Sequence, residues 1–191
     1  MRNVSGSFAS PSLALSGMRR TWSSLYRPPS AGAGGVFETN VRITSSTDKL
    51  FESDRRPIIL FDGVCNLCNG GVNLALDLDP PGKLRFAALQ SDAGRALLRR
   101  AGRDPDDISS IVLVEERDSY VKSDAVLRIA RYLDNPALPA AAALGMLFPG
   151  VLRDVVYDIV ADNRYSLLGM RDECRLGDAR FDDRFVADDA V

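Results

Sequence analysis

Short apolar runs alternate with amphipathic stretches from residue 57 onwards. The runs at 58–61, 84–89 and 111–114 are almost entirely apolar, and each is short enough to be a buried strand. The stretches 65–79 and 91–101 between them have apolar residues at helical spacing. Proline or glycine follows each of these stretches, which predicts that the helices end there. The pattern therefore predicts two strand–helix units followed by a third strand.

A hairpin and a further helix complete the pattern. Residues 115–119 predict a turn, residues 120–122 a short strand paired with the third, and Ser123 the cap of a helix. The order βαβαββα, in which helices join strands and a hairpin follows, indicates an α/β protein with a thioredoxin-like core. Two extra C-terminal helices, predicted at 140–148 and 152–168, are expected to cover the domain. The second has an apolar face formed by Val155, Val156, Ile159 and Val160.

Two cysteines lie where the first strand gives way to the first helix. Cys65 and Cys68 follow the turn signal Asp62-Gly63 and have two residues between them. Cys65 is expected in the first turn of the helix, where free backbone N–H groups and the helix dipole favour a thiolate. Cys68 then lies about one turn further on, close enough to attack a mixed disulfide on Cys65. The spacing predicts a dithiol exchange site with Cys65 as nucleophile and Cys68 as resolving thiol.

Asp62 is the third candidate for this site. It ends a buried strand three residues before Cys65, where a carboxylate partly removed from water could shuttle the proton of Cys68. Alternatively, Asp62 caps the turn or the helix by accepting hydrogen bonds from backbone N–H groups. The sequence leaves both interpretations open.

Two adjacent glycines interrupt the helix that follows the cysteines. Gly70 and Gly71 each weaken a helix by about 1 kcal/mol relative to alanine. Either a partner or other backbone approaches the helix closely there, or the helix packs tightly on the sheet. Both interpretations stay open.

The residue composition excludes several kinds of site. The chain has no histidine, which excludes Ser-His-Asp and Cys-His catalysis and histidine metal sites. Three cysteines do not make a secreted disulfide framework, so an intracellular redox protein is the better prediction. Zinc is the lesser alternative, because Cys174 and a carboxylate would have to complete the four ligands. A pair of inert buried cysteines is another. We expect no metal and no cofactor, and Cys174 is either a third redox sulfur or a spare thiol.

Charge and hydropathy limit the partners. Residues 51–191 hold 18 basic and 24 acidic side chains, and an acidic body argues against nucleic acid as a partner. No run approaches the ~18 apolar residues needed to cross a bilayer, so we expect no membrane span.

The N-terminal segment has the composition of an organelle transit peptide. Residues 1–37 contain no acidic residue, eight serines and four arginines. Prolines and glycines interrupt any amphipathic helix, which favours the chloroplast, whereas the run at 20–23 resembles a mitochondrial processing site. A disordered tail without an address is the third possibility.

The predicted domain boundaries follow from these patterns. Residues 1–50 are expected to be transit peptide and disordered linker, and the polar linker continues to residue 56. Residues 56–176 form the folded domain. Residues 177–191 are acidic and weakly patterned, which predicts a frayed tail.

The residues around the cysteines resemble a known family. The run DGVCNLCNGG at 62–71 is similar to the DxxCxxC signature of the DCC family of predicted thiol-disulfide oxidoreductases. Other similar segments are RFAALQS at 85–91, SDAVLRI at 123–129, LRDVVY at 152–157 and NRY at 163–165, with Gly169 and Cys174. The similarity spans about residues 57–176 and is greatest to plant organellar members, especially chloroplast ones.

This resemblance implies a thioredoxin-like fold, a redox pair formed by Cys65 and Cys68, and Asp62 as the family's leading acid. One feature departs from better-known thioredoxin-like proteins, which place a cis-proline before the third strand, facing the CxxC motif. Here Ser109-Ser110 occupies that place.

The predicted function is a protein-disulfide oxidoreductase that acts mainly as a reductase in an organelle. Its partners would be protein or small disulfide substrates and an upstream thiol reductant. The competing hypothesis is a non-catalytic partner or assembly protein with the same fold, and a metal-binding CxxC protein is a weaker one.

Overall fold

A four-stranded sheet with helices on both faces is the centre of the computed structural model, which describes residues 46–191. The elements are α1 Ser46–Ser53, β1 Ile58–Phe61, α2 Asn66–Asp77, β2 Arg85–Ala88, α3 Asp92–Arg100, β3 Val112–Val114, β4 Ser119–Val121, α4 Lys122–Ala130, α5 Ala137–Met146, α6 Gly150–Asp162 and α7 Arg164–Leu168. The predicted transit peptide lies outside the described residues.

The strands lie in the order β2-β1-β3-β4. β1 and β2 are parallel, whereas β3 runs antiparallel to β1 and β4 antiparallel to β3. From β1 to α4 the elements follow the predicted βαβαββα order. The thioredoxin-like α/β fold with additional C-terminal helices is therefore confirmed.

β1 lies in the middle of the sheet and is buried on both faces. Ile58 and Leu60 pack into one apolar cluster with residues of α1 and α3. Ile59 and Phe61 pack into the other, with residues of α2 and α4. A strand covered on both faces needs a continuous apolar run, which explains why 58–61 has no polar residue. Its carboxyl end is thereby fixed where the cysteines follow.

Of the two predicted N-terminal serine caps, that of α3 is confirmed and that of α4 is wrong. Ser91 caps α3, since its Oγ accepts a hydrogen bond from the Gly94 N–H at 2.9 Å. α4 instead begins at Lys122 without a side-chain cap. The Ser123 hydroxyl is bonded to the Asp154 carboxylate of α6, a tertiary contact that replaces the local one.

The predicted polar linker contains a helix in its described part. Leu50 and Phe51 of α1 are buried in the apolar cluster with α3. The guanidinium groups of Arg85 and Arg100 lie 5.5 and 5.2 Å from the centre of the Phe51 ring. The folded unit therefore begins before residue 56, and the predicted boundary is corrected to include α1.

Residues 177–191 pack against the sheet, so the predicted frayed tail is wrong. The Phe185 ring lies 5.6 Å from the Phe86 ring of β2, and the Val186 N–H donates to the Phe86 carbonyl at 2.9 Å. Arg184 is buried and pairs with the fully buried Asp79, with Nη2 at 2.5 Å from the carboxylate oxygen Oδ2. Arg184, Phe185 and Val186 thus anchor this segment, although the segment as a whole is acidic.

The predicted helix at 152–168 is two helices that meet at Asn163. The apolar face of α6 is largely exposed: its valines and isoleucine at 155, 156, 159 and 160 are 45–64% exposed, and only Val160 of these four lines a pocket. This face therefore does not cover the domain as expected. Within residues 46–191 no single helix is long and apolar enough to span a bilayer. α5 and α6 meet that criterion only together, bent by 116° at their junction.

Candidate active site

Cys65 forms the N-cap of α2, directly after the turn that ends β1. Its Sγ accepts a hydrogen bond from the Cys68 backbone N–H at 3.2 Å. This N–H is one of the donors that the first turn of a helix leaves without an intrahelical partner, and it favours negative charge on the sulfur. The two sulfurs and a carboxylate oxygen of Asp62 all lie within 4.8 Å of one another. The structure thus brings together the three residues that the sequence singled out.

Access to the two sulfurs is unequal. Cys65 is 0% exposed. The chain after α7 covers it: Met170 forms an isolated β-bridge with Cys65, and the Arg171 N–H donates to the Val64 carbonyl at 2.8 Å. Cys68 is half-buried and lines a pocket to which Cys65 does not contribute. The sequence predicts Cys65 as the attacking thiol, yet in this conformation only Cys68 faces an open space.

The Cys68 thiol is held in its protonated form. Burial raises its pKa most, and the hydrogen bond to Cys65 and the charges of Cys65 and Asp62 raise the pKa further. The charge of Arg164 opposes this shift. In the reduced pair the structure therefore favours a proton on Cys68.

Asp62 is buried and hydrogen-bonded through both carboxylate oxygens. Oδ1 accepts from the Val64 N–H at 3.2 Å and from the Gln90 amide at 2.7 Å. Oδ2 accepts from Arg164 Nη2 at 3.3 Å and from the Tyr165 hydroxyl. The bond from Val64 supports the interpretation that Asp62 caps the turn, and the other donors fix its carboxylate beside the cysteines.

Sequence reasoning assigned no role to the partners of Asp62. Gln90 follows β2, and Arg164 and Tyr165 begin α7, about a hundred residues further along the chain. The family-like segments at 85–91 and 163–165 include all three, which is the signal that could have identified them. Burial and the hydrogen bond to Asp62 raise the pKa of Tyr165, so that its hydroxyl remains a donor.

The residues around the cysteines provide only part of a metal site. Asp62, Cys65 and Cys68 offer three ligand atoms, and the described part of the chain adds no fourth cysteine or acid to that group. A structural zinc site takes four ligands, and the Arg164 guanidinium on the Asp62 carboxylate disfavours a second cation there. The geometry suits a dithiol better than a metal.

Cys174 lies at the other side of the turn, against Gly63. Its Sγ is so close that a side chain at Gly63 would collide with it, which explains the glycine. The sulfur is 3.7 Å from the Gln90 side-chain oxygen. Burial, followed by the charge of Asp62, raises the pKa of Cys174. These contacts favour a structural thiol rather than a third redox sulfur.

A pocket of about 390 Å³ opens beside Cys68. α2, the loop before β3, α4 and α6 form its walls. Cys65 is not among its lining residues, whereas Cys68, Asp62 and Arg164 are.

The fold and the paired cysteines define a thioredoxin-like protein with a CxxC motif at the start of the first crossover helix. The chain belongs to the family of DCC1-like thiol-disulfide oxidoreductases, whose family model matches residues 59–170. This confirms the family resemblance found in the sequence, and it supports a thiol-disulfide redox role in general terms.

Two relatives are similar over most of their length. A chloroplastic DCC family protein of Arabidopsis thaliana is 50% identical over 147 residues, which cover 77% of this chain and 85% of the relative. The uncharacterized protein YuxK of Bacillus subtilis is 39% identical over 129 residues, which cover 68% of this chain and 93% of the relative. No solved structure matches the chain significantly.

Proposed function

We propose that the protein catalyses thiol–disulfide exchange through Cys65 and Cys68 and acts as a reductase of disulfide substrates. The observation that supports this most is the hydrogen bond from the Cys68 N–H to Cys65 Sγ, with the second sulfur within 4.8 Å. A thiolate beside a protonated thiol is the arrangement that dithiol exchange requires.

The proposed order of the steps differs from the one that the motif suggests: Cys68 reacts first, because it lines the pocket whereas Cys65 is buried. Cys68 meets the substrate, gives its proton to the Cys65 thiolate and attacks one sulfur of the substrate disulfide. The substrate's S–S bond breaks, a mixed disulfide forms on Cys68, and the first product leaves as a thiol after taking up a proton. Cys65 then loses its proton and attacks Cys68 Sγ. The products are a second thiol and a Cys65–Cys68 disulfide, so two electrons pass to the substrate.

Asp62 is proposed to act as a positioning residue. Its bond to the Val64 N–H fixes the turn that presents the cysteines, and its charge helps to keep Cys68 protonated before attack. Proton transfer by Asp62 itself is less favoured, because its carboxylate is already hydrogen-bonded to Gln90, Arg164 and Tyr165.

The reducing direction and the location belong to the same proposal. Asn66 and Leu67 bring no positive charge between the cysteines, so the helix N-terminus is the main group in the motif that favours a thiolate on Cys65. A motif without such a charge favours a reductant over a strong oxidant. The transit-like composition of residues 1–37 and the chloroplastic relative favour the chloroplast over the mitochondrion.

A non-catalytic partner protein is the second candidate. The sealed position of Cys65 and the exposed apolar face of α6 favour this alternative. Such a protein would bind an assembly through its surface, and its cysteines would not turn over.

A turnover assay separates the two. The full-length chain is expected to accelerate the reduction of insulin or hydroxyethyl disulfide by dithiothreitol. Cys68→Ser should fall to the rate without protein, because it lacks the thiol that faces the pocket. Cys65→Ser should be slower than the wild type, because only dithiothreitol can then resolve the mixed disulfide on Cys68. Cys174→Ser should keep the full rate. A wild-type rate no faster than the protein-free reaction on both substrates would contradict the proposal.

A further inference from the structure

The pocket beside Cys68 is apolar almost throughout. Its size lies within the range of about 300–1,000 Å³ that is typical of small-molecule sites. Among the described residues that line it, the only charged side chains are Asp62 and Arg164, and these pair with each other at 3.3 Å. A charged ligand would therefore find no free counter-charge within it.

One polar group in the pocket wall lacks a partner. Ser110 is buried, and its Oγ makes no hydrogen bond within residues 46–191. Buried hydroxyls normally have a hydrogen-bond partner, so this group is available to a bound molecule. Ser110 lies in the loop just before β3.

The two helix glycines face open space. A Cβ at Gly70 or Gly71 would meet no atom within 4 Å outside its own helix and its chain neighbours, so close packing on the sheet does not explain them. Gly71 lies one turn after Cys68 on the same side of α2 and lines the pocket. Its missing side chain leaves room beside the sulfur for a ligand, at a cost of about 1 kcal/mol in helix stability.

The backbone beside Cys65 is already paired within the chain. The Asn66 N–H donates to the Gly169 carbonyl at 3.3 Å, and the Arg175 N–H donates to the Gly63 carbonyl at 3.0 Å. Together with the Met170 bridge, these bonds occupy groups that an extended peptide would need for strand-like docking. The open approach to the dithiol is the pocket.

We propose that the pocket binds the uncharged, apolar substituent on one sulfur of a small disulfide substrate. The S–S bond of the substrate then lies next to Cys68. This inference rests on the proposed exchange function. Gly71 leaves room for this substituent, and Ser110 provides a single hydrogen bond to it. The charges of Asp62 and Arg164 pair with each other and so give no preference for an ionic group.

Two aromatic disulfides of similar size test the charge preference. Dithiodipyridine is neutral at neutral pH, dithiobis(nitrobenzoate) carries two carboxylates, and each releases a coloured product when a thiol attacks it. The full-length chain with Cys174→Ser, fully reduced, reports only the Cys65–Cys68 pair. Each rate is divided by that of free glutathione with the same probe. We expect the neutral probe to be favoured by about tenfold or more, the effect of complementary apolar contacts in a pocket.

Glycine variants test whether the pocket is responsible. Gly71→Leu in the same chain should lower the rate with the neutral probe by about tenfold and abolish the preference. Gly70→Leu is the matched control, because the same side chain on the neighbouring residue lies outside the pocket and should leave the preference unchanged.

Surface variants give a second test that does not depend on how Gly71→Leu folds. Leu74 lines the pocket and is 58% exposed, whereas Leu147 is 79% exposed and lies outside it. Leu74→Lys should shift the preference towards the anionic probe, and Leu147→Lys should not.

The outcomes separate the two proposals. Three results would overturn the pocket proposal alone. The first is no preference between the probes in the Cys174→Ser chain, and the second is an equal effect of Gly71→Leu and Gly70→Leu, or of Leu74→Lys and Leu147→Lys. The third is faster oxidation of the pair by insulin than by the neutral probe, with both rates divided by that of glutathione. A dithiol that reacts with none of these disulfides faster than glutathione does would overturn the exchange function itself.

Discussion

Replacing Arg184 by methionine is expected to lower the free energy of unfolding by about 3–5 kcal/mol. Arg184 donates to the carbonyls of Asp79 and Leu84 and pairs with the Asp79 carboxylate, which is fully buried. Without the guanidinium, the only donors that the carboxylate keeps within residues 46–191 are the backbone N–H groups of Lys83 and Leu84, each at 2.9 Å. A buried charge that loses its partner is among the most destabilising changes in a folded protein.

Urea denaturation of the full-length chain measures this effect. Arg180→Met is the matched control, because Arg180 pairs with Asp178 at the surface, with its side chain 75% exposed, and should change stability little. Adding Asp79→Asn to Arg184→Met should recover part of the loss, since no buried charge remains. Equal stability of the two single arginine variants would show that the C-terminal segment does not anchor β2.

The cysteine variants are expected to trap different intermediates. In Cys65→Ser the substrate should remain on Cys68 as a stable mixed disulfide, because the resolving sulfur is missing. Removing Cys65 also removes its hydrogen bond and its charge, so the pKa of Cys68 should fall towards its usual value. Alkylation of Cys68 should then reach its full rate at a lower pH than in the Cys174→Ser chain.

Mass spectrometry of each variant after exposure to hydroxyethyl disulfide locates the adduct. Cys68→Ser should yield little adduct on Cys65, which has no exposed surface. Cys174→Ser is the control, with no stable adduct on the pair. Efficient trapping on Cys65 in Cys68→Ser, with none on Cys68 in Cys65→Ser, would restore the usual assignment, with Cys65 as the attacking thiol. It would require the segment after α7 to move.

The sequence predicted the fold and the dithiol because both depend on local patterns. A buried central strand must be apolar, and the turn and helix start that follow it set the spacing of Cys65 and Cys68. The sequence pattern did not predict α1 or the packing of residues 177–191, because both depend on tertiary contacts. α1 and residues 177–191 are held by a few apolar side chains and by Phe51, Arg184 and Phe185, which are too sparse to give a period.

The relative access of the two cysteines could not be predicted from the motif. Cys65 is covered by residues about one hundred positions further along the chain, and the Asp62 carboxylate is held by Arg164 and Tyr165 from the same region. The motif determines that two sulfurs lie near a helix start. The chain that crosses over it determines which one faces the pocket.

Peptide mapping of the full-length chain, after oxidation by one equivalent of a disulfide, tests the paired-cysteine function most directly. The expected product is a Cys65–Cys68 disulfide, formed with the release of two thiols, while Cys174 remains alkylatable. A disulfide that includes Cys174, or a pair that stays reduced while the oxidant persists, would contradict the assignment of Cys65 and Cys68 as the redox couple.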